Sequence, residues 1–381
     1  KFLLSDGYKT KFAAPVMKGW EPWRIGAQDL VSTANRIDSG LLHNCKNNYL
    51  SDIIQKLCIH DLEDLFVLDD FTAINGAPGV RSIDKMKRNT SAGFPYRKSK
   101  KFFLKLIPPE HGVQDPVEVS QEILDRSNEI ITKYCQGERA HPVFTAHLKD
   151  EAVSFSKVER KKTRIFTGAP FDWSLVVRKY YLTIVRVIQN HRLAFETAVG
   201  TTAQSREWEG LYRHVTQHGS SNIVAGDFAS FDKRMPPEFI LAAFEIIMEL
   251  CSLSGNFTTM DFQVMWGIAV DTAFPTVDYN GDLVEFFGSN PSGHPLTVII
   301  NSLVNSLYMR YTFAKLSPGV PLRDFQKHVS LLTYGDDNIM SVSNETPWYN
   351  HTSISKAFAD MGISYTMAEK DAESVPFVNL K

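Results

Sequence analysis

Three hundred and eighty-one residues, 43% hydrophobic and 22% charged, describe an ordinary globular chain and exclude disordered, collagen-like and low-complexity classes. The 41 Lys and Arg nearly cancel the 43 Asp and Glu, so a net charge of −2 gives no global attraction to a polyanion, and any such attraction must be local. Four cysteines (Cys45, Cys58, Cys135, Cys251) stand far apart with no C-x-x-C pair, which argues against a disulfide scaffold or thiolate zinc site and for reduced thiols in a cytosolic compartment.

The first eight residues hold only a Phe-Leu-Leu triplet before Ser5 and Asp6, too short for the apolar region of a secretion signal. The longest uncharged stretch, 286–309, carries Ser289, Asn290, Ser292, Asn301, Ser302 and Asn305 and is too polar for an unpaired membrane span. No initiator Met is present, so a chain cut from a longer precursor, or a fragment, is expected. Tyr8, Trp20 and Trp23 lie where no motif is legible and read as packing aromatics.

Local charge is uneven. Arg81, Lys85, Lys87, Arg88, Arg97, Lys98, Lys100 and Lys101 face only Asp84 in their segment; Lys149, Lys157, Arg160, Lys161, Lys162 and Arg164 outnumber Asp150, Glu151 and Glu159 in theirs. On charge alone each run reads as a solvated face. Further on, residues 222–226 suit a buried strand ending at Asp227. Past Pro236 and Pro237 the apolar spacing of Phe239, Ile240, Ala243, Phe244, Ile247 and Leu250 predicts a helix. Residues 253–288 read as mixed and loop-rich. Pro295 precedes a second helical pattern through Val298, Ser302, Asn305, Tyr308 and Met309. Residues 329–334 and 339–342 read as strands joined by the turn Gly335-Asp336-Asp337; a helix over 348–361 and a strand over 363–367 follow. The order predicts an α+β fold with helices on one face of an antiparallel sheet.

Two carboxylate signals differ in weight. The D-x-x-x-x-D spacing of Asp227 and Asp232 arises about 1.5 times by chance in such a chain, whereas Tyr334-Gly335-Asp336-Asp337 is expected only ~0.003 times. Apolar flanking strands expose two adjacent carboxylates at one sheet edge. If Asp227, at the end of a neighbouring strand, comes within about 4 Å of Asp336, their repulsion is on the order of 4 kcal/mol at an effective dielectric near 20. A cation must offset it. Oxygen-only ligands select a hard ion, so Mg²⁺, with Mn²⁺ as a substitute, is the natural occupant, one or two ions held by Asp227, Asp336 and Asp337.

At these residues the chain resembles the RNA-dependent RNA polymerases of positive-strand picornavirus-like RNA viruses. Tyr334-Gly335-Asp336-Asp337 is similar to their motif C and Gly226-Asp227-Phe228-Ala229-Ser230-Phe231-Asp232 to motif A. Ser292-Gly293 through Thr297 and Asn301 resembles motif B, Lys149 through Arg164 motif F, Thr90-Ser91-Ala92-Gly93-Phe94-Pro95 motif G, and Met361 through Lys370 motif D. Gly288 to Pro295 and Phe231 to Met235 look most like marine picorna-like (marnavirus) members.

The resemblance implies a right-hand polymerase of fingers and palm. Residues 1–220 would be fingers, 221–252 palm, 253–287 a fingers insertion and 288–381 palm again, ending before motif E and the thumb. It implies catalysis by Asp227, Asp336 and Asp337 with two Mg²⁺ ions and a proton from Lys370. Nucleotide contacts would come from Lys149, Lys157, Lys162, Arg164, Asp232, Ser292, Gly293, Thr297 and Asn301, with Asp232 and Asn301 reading the ribose 2′-OH. RNA contacts would come from Thr90, Ser91, Gly93 and Pro95, the 81–101 cations lying near the template. The implied partners are RNA template and product strand, ribonucleoside triphosphates, a protein primer and other viral replication proteins, at membrane-associated complexes in the host cytoplasm. A reverse transcriptase also fits Y-x-D-D, but Asp232 with Asn301 favours ribose; a non-catalytic RNA-binding scaffold would not need three aspartates.

Overall fold

The computed structural model describes residue 7 and residues 10–30, 37–369 and 372–380. In chain order the elements that matter are α1 (Glu21–Gln28), α2 (Ser39–Ile54), β1 (Val143–Leu148), β2 (Ile165–Gly168), α3 (Phe171–Asn190) and α4 (Glu207–Val215). Then come β3 (Ile223–Phe228), α5 (Phe231–Arg234), α6 (Pro237–Leu253), α7 (Thr259–Ala273), β4 (Thr276–Tyr279) and β5 (Asp282–Glu285). The last are α8 (Thr297–Leu316), β6 (Val329–Tyr334), β7 (Asp337–Val342), α9 (His351–Ala359) and β8 (Tyr365–Met367).

One antiparallel sheet runs in the order β6-β7-β3-β8, with Tyr334 opposite Asp337 and Asn338 opposite Gly226. Alternation along each strand divides its side chains. Val224, Phe228, Leu331 and Met340 join the large core with helices α6, α8 and α9, whose residues Phe239, Leu303, Tyr308 and Phe358 are fully or almost fully buried. A second sheet, β2-β1-β4-β5, joins distant segments: β1 pairs with β4 in parallel and with β2 antiparallel.

Two expectations need correcting. Helices do not keep to one face of the first sheet: α4 lies on the other, where Leu211 and Val215 pack on Ile223 and Leu332, and the Ser330 hydroxyl donates to the carbonyl of His214. Residues 253–288 are not loop-rich, since they hold α7 and the β4–β5 hairpin. Apolar residues surround α7 on most sides, which hides the 3.6-residue stripe, yet its start is marked by a capping box of Thr258 and Asp261. The hairpin turns at Asn280-Gly281, both with positive φ (57° and 101°), the pairing that a two-residue turn of this kind demands.

Candidate active site

The acidic hairpin is built where β6 and β7 end. Gly335 sits at φ 62°, a conformation that a side chain resists, and so turns the chain tightly enough to bring Tyr334 opposite Asp337. Continuing the β7–β3 register one residue past Asn338–Gly226 sets Asp227 opposite Asp337, on the face away from α8. Gly226 has no room for a side chain, because the Tyr365 ring crosses its Cα and donates its hydroxyl to Asn338 Oδ1 at 2.7 Å.

Two residues that sequence reading treated only as part of a helical pattern hold this turn from below. Ser302 Oγ accepts from the Gly335 amide at 2.9 Å, and Asn305 Nδ2 lies 3.1, 3.0 and 3.2 Å from the carbonyl oxygens of Gly335, Asp336 and Asp337. Small polar side chains on a helix that is otherwise buried were the available signal.

Asp232 follows on α5, after Ser230 at φ 56°. Its carboxylate accepts from Asn301 Nδ2 at 2.8 Å. Burial pushes that carboxyl above its ordinary value; the Asn301 bond opposes this, and the charge of Asp336 adds to it. The cleft beside it is lined by Thr167, Lys233, Pro291 and Ser292.

The loop before α8 is fastened to β2 by reciprocal bonds: the Thr167 amide donates to Ser292 Oγ at 3.0 Å, and the Ser292 amide to Thr167 Oγ1 at 3.1 Å. Gly293 passes so close to the Thr167 carbonyl that any Cβ would collide with it. Thr297 departs from expectation. Its hydroxyl lies 2.7 Å from the Pro291 carbonyl and 3.1 Å from that of His294, closing the loop rather than facing the cleft.

The second basic run borders the same cleft in part. Lys149 and Arg164 both pair with Glu151, at 2.9 and 3.4 Å, and the Lys149 amide donates to the Arg164 carbonyl. Arg164 is largely exposed, and its charge acts on Asp232. Lys162 reaches Asp29 at 3.7 Å, and Asp29 also accepts from Ser230 and Arg234. Lys157 is exposed on a short helix, 155–159.

The first basic run is largely neutralised within the protein. Arg81 pairs with Glu207, Lys85 and Arg88 with Asp115, and Arg97 with Asp278. Lys100 sits over the Phe171 ring, and burial lowers its pKa to about 8. Thr90 and Ser91 make local bonds, the Thr90 hydroxyl to the Lys87 carbonyl and Ser91 Oγ from the Gly93 amide. Gly93, at φ 72°, and Pro95, in a cis peptide bond with Phe94, close the segment. The Phe171 amide donates to Ala92 and the Ala169 amide to Gly293, so the turn between β2 and α3 joins this segment to the loop before α8. Lys370 lies outside the described residues.

Among the described residues no group of three or more His, Cys, Asp or Glu side chains is drawn close enough to hold a metal ion. The donors still suit Mg²⁺. Asp227, Asp336 and Asp337 offer only oxygen at one sheet edge, and Mg²⁺ binds through one or two carboxylates completed by substrate phosphates and water.

Comparison with known proteins places this arrangement. The solved structure of a Sicinivirus 3Dpol RNA dependent RNA polymerase superposes with a TM-score of 0.80 at 17% identity, covering 98% of this chain and 74% of that one. The fold is therefore the right-hand polymerase fold, of α+β class. The sequence model of the family described as viral RNA-dependent RNA polymerase matches residues 27–381, and the chain belongs to that family. It is 30% identical to the replicase polyprotein of Cricket paralysis virus over 275 residues and 27% identical to the RNA1 polyprotein of Cowpea mosaic virus over 380. Those matches cover 68% and 96% of this chain but only 15% and 20% of the polyproteins, so the chain spans a small part of the relatives it resembles.

Proposed function

We propose that the chain catalyses template-directed RNA synthesis, transferring ribonucleoside monophosphates from triphosphates to an RNA 3′-OH during viral genome replication. The observation that carries this reading is the Asp232–Asn301 contact beside the acidic hairpin: a ribose-sensing pair next to the carboxylates. Mg²⁺ ions bound by Asp227 and Asp336, with Asp337 beside them, would activate the attacking hydroxyl and neutralise the leaving pyrophosphate. Asn305 and Ser302 keep the hairpin carboxylates in place. Lys157, Lys162 and Arg164 draw the triphosphate toward the cleft, with Lys149 held alongside by Glu151, and Lys370 is the proposed proton donor. Ser292 and Gly293 shape the wall on which the base pair rests, and Thr297 supports that wall.

RNA template and product are the proposed macromolecular partners, with Thr90, Ser91, Gly93 and Pro95 beside the template; replication proteins and a protein primer complete the set. Replication complexes on host cytoplasmic membranes are the proposed setting; no described helix is long and apolar enough to cross a membrane. The parallel pairing of β4 with β1 supports grouping 253–287 with the fingers of 1–220, the palm being 221–252 and 288–381. Primer extension on a homopolymer RNA template tests the reading: the complementary ribonucleotide should extend the primer and its deoxy form should not. Equal use of both would refute it.

A further inference from the structure

We propose that His294 and Asn290 are positioning residues for sugar selection, forming a buried relay that fixes which way round the Asn301 amide faces the nucleotide. The inference rests on the polymerase reading and names the hydrogen-bond polarity of its sugar site.

A backbone donor sets the direction of the relay. The Leu296 N–H can only donate, and it lies 3.3 Å from His294 Nδ1, which therefore carries no proton. A neutral imidazole then has its proton on Nε2, so the Asn290 atom 2.9 Å away is the oxygen Oδ1. Asn290 Nδ2 consequently faces Asn301 Oδ1 at 2.7 Å; independently, it faces the Thr297 carbonyl at 3.2 Å, which can only accept. Asn301 is left with its Nδ2 toward Asp232, at 2.8 Å.

The relay is sealed from water. Asn290, Asn301 and His294 are 1%, 4% and 8% exposed, and the Trp173 ring meets His294 edge-on at 5.8 Å. Burial lowers the His294 pKa to about 3, which keeps the ring in the neutral form that the geometry requires. The Asn290 backbone N–H also donates to the Asp232 backbone carbonyl at 2.8 Å, so Asn290 is tied to both partners of the sugar-reading pair.

The chemical consequence is directional. Asn301 Oδ1 points at Asn290 and its Nδ2 at Asp232, so the amide turns its NH2 edge to the site and has a second N–H to offer a nucleotide. A 2′-OH therefore accepts from Asn301 and donates to Asp232, and a 2′-H does neither. Without Asn290 the Asn301 oxygen is left buried without a partner, and the amide is free to tilt away from Asp232.

Two measurements test this. In the ¹⁵N-histidine-labelled chain, NMR should show His294 protonated on Nε2 and bare on Nδ1 from pH 8 to pH 5; a proton on Nδ1, or an imidazolium at pH 6, overturns the relay. This arm needs no catalysis. In single-nucleotide incorporation, Asn290→Leu and His294→Leu should lower the GTP/dGTP ratio of kcat/KM by about tenfold, chiefly through GTP. His294→Gln, which keeps a donor near the Nε2 position, should retain most of the selectivity and guards against a variant that merely folds poorly. An unchanged ratio in both Leu variants, with the unmodified chain selective, overturns the relay alone. An unmodified chain that does not distinguish GTP from dGTP overturns the polymerase reading beneath it.

Discussion

Arg310, with none of its side chain exposed, holds both carboxylate oxygens of Glu196 at 2.7 and 2.8 Å. Burial alone would raise the Glu196 carboxyl; Arg310 outweighs it and leaves the group below its ordinary value. The same guanidinium reaches Asp52 at 2.7 Å and lies between the faces of Tyr49 and Phe325. Glu196 itself has φ 52°, and its carbonyl accepts from the Thr333 amide at 2.7 Å and the Thr333 hydroxyl at 2.9 Å. One buried cation thus ties α2 and α8 to the strand that ends in the acidic hairpin.

Removing that cation strands two buried carboxylates. Arg310→Met should cost about 3–5 kcal/mol of stability in urea unfolding, and Arg310→Lys should recover little, since a point charge cannot span the fork. A loss below about 1 kcal/mol would show that the network contributes little.

Asn305 supports the hairpin without facing substrate. Asn305→Ala should lower kcat by about 10²-fold with little change in nucleotide KM, the effect of misplaced rather than missing carboxylates. Asn305→Asp, which cannot donate to three carbonyls, should behave alike; a raised KM with kcat intact would contradict the role.

Lys157 and Arg164 are exposed cations of the second basic run, and the charge of Arg164 acts on Asp232. Changing either to Ala should raise the nucleotide KM several-fold and leave template affinity within about twofold. Parallel loss of template binding would move them to the RNA path.

Burial lowers the pKa of His214, His218, His294 and His351, so each is neutral in the folded chain at pH values where the unfolded chain binds protons. Their contribution is complete above about pH 6.5 and is lost as pH falls, for His294 down toward about 3. His60, raised by Glu63, acts in the opposite sense at the surface. Urea midpoints should fall from pH 7.5 to pH 5, and His294→Gln should flatten that slope; a midpoint that rises on acidification would contradict it.

The strands of the sheet, the helices on its core face and the hairpin were legible because local chemistry and global packing agree there: Gly335 needs its turn, and apolar strands bracket two aspartates. The helix over 259–273 was hidden by apolar residues on most of its sides, although Thr258 and Asp261 announced its start. On charge alone the 81–101 cations read as a solvated face, because their partners Glu207, Asp115 and Asp278 are distant in sequence. His294 stood out in the sequence but gave no reason to invoke a metal, and its contacts with Asn290 and Leu296 form only in the folded loop.

The most direct measurement is nucleotidyl transfer by Asp336→Asn, compared with the unmodified chain in primer extension with Mg²⁺ and ribonucleotides. The substitution keeps the shape of the hairpin and removes one charge, so folding and RNA binding should persist while extension falls below about 1% of the unmodified rate. Extension at more than a few per cent by a folded Asp336→Asn chain would contradict the assignment of this carboxylate to catalysis.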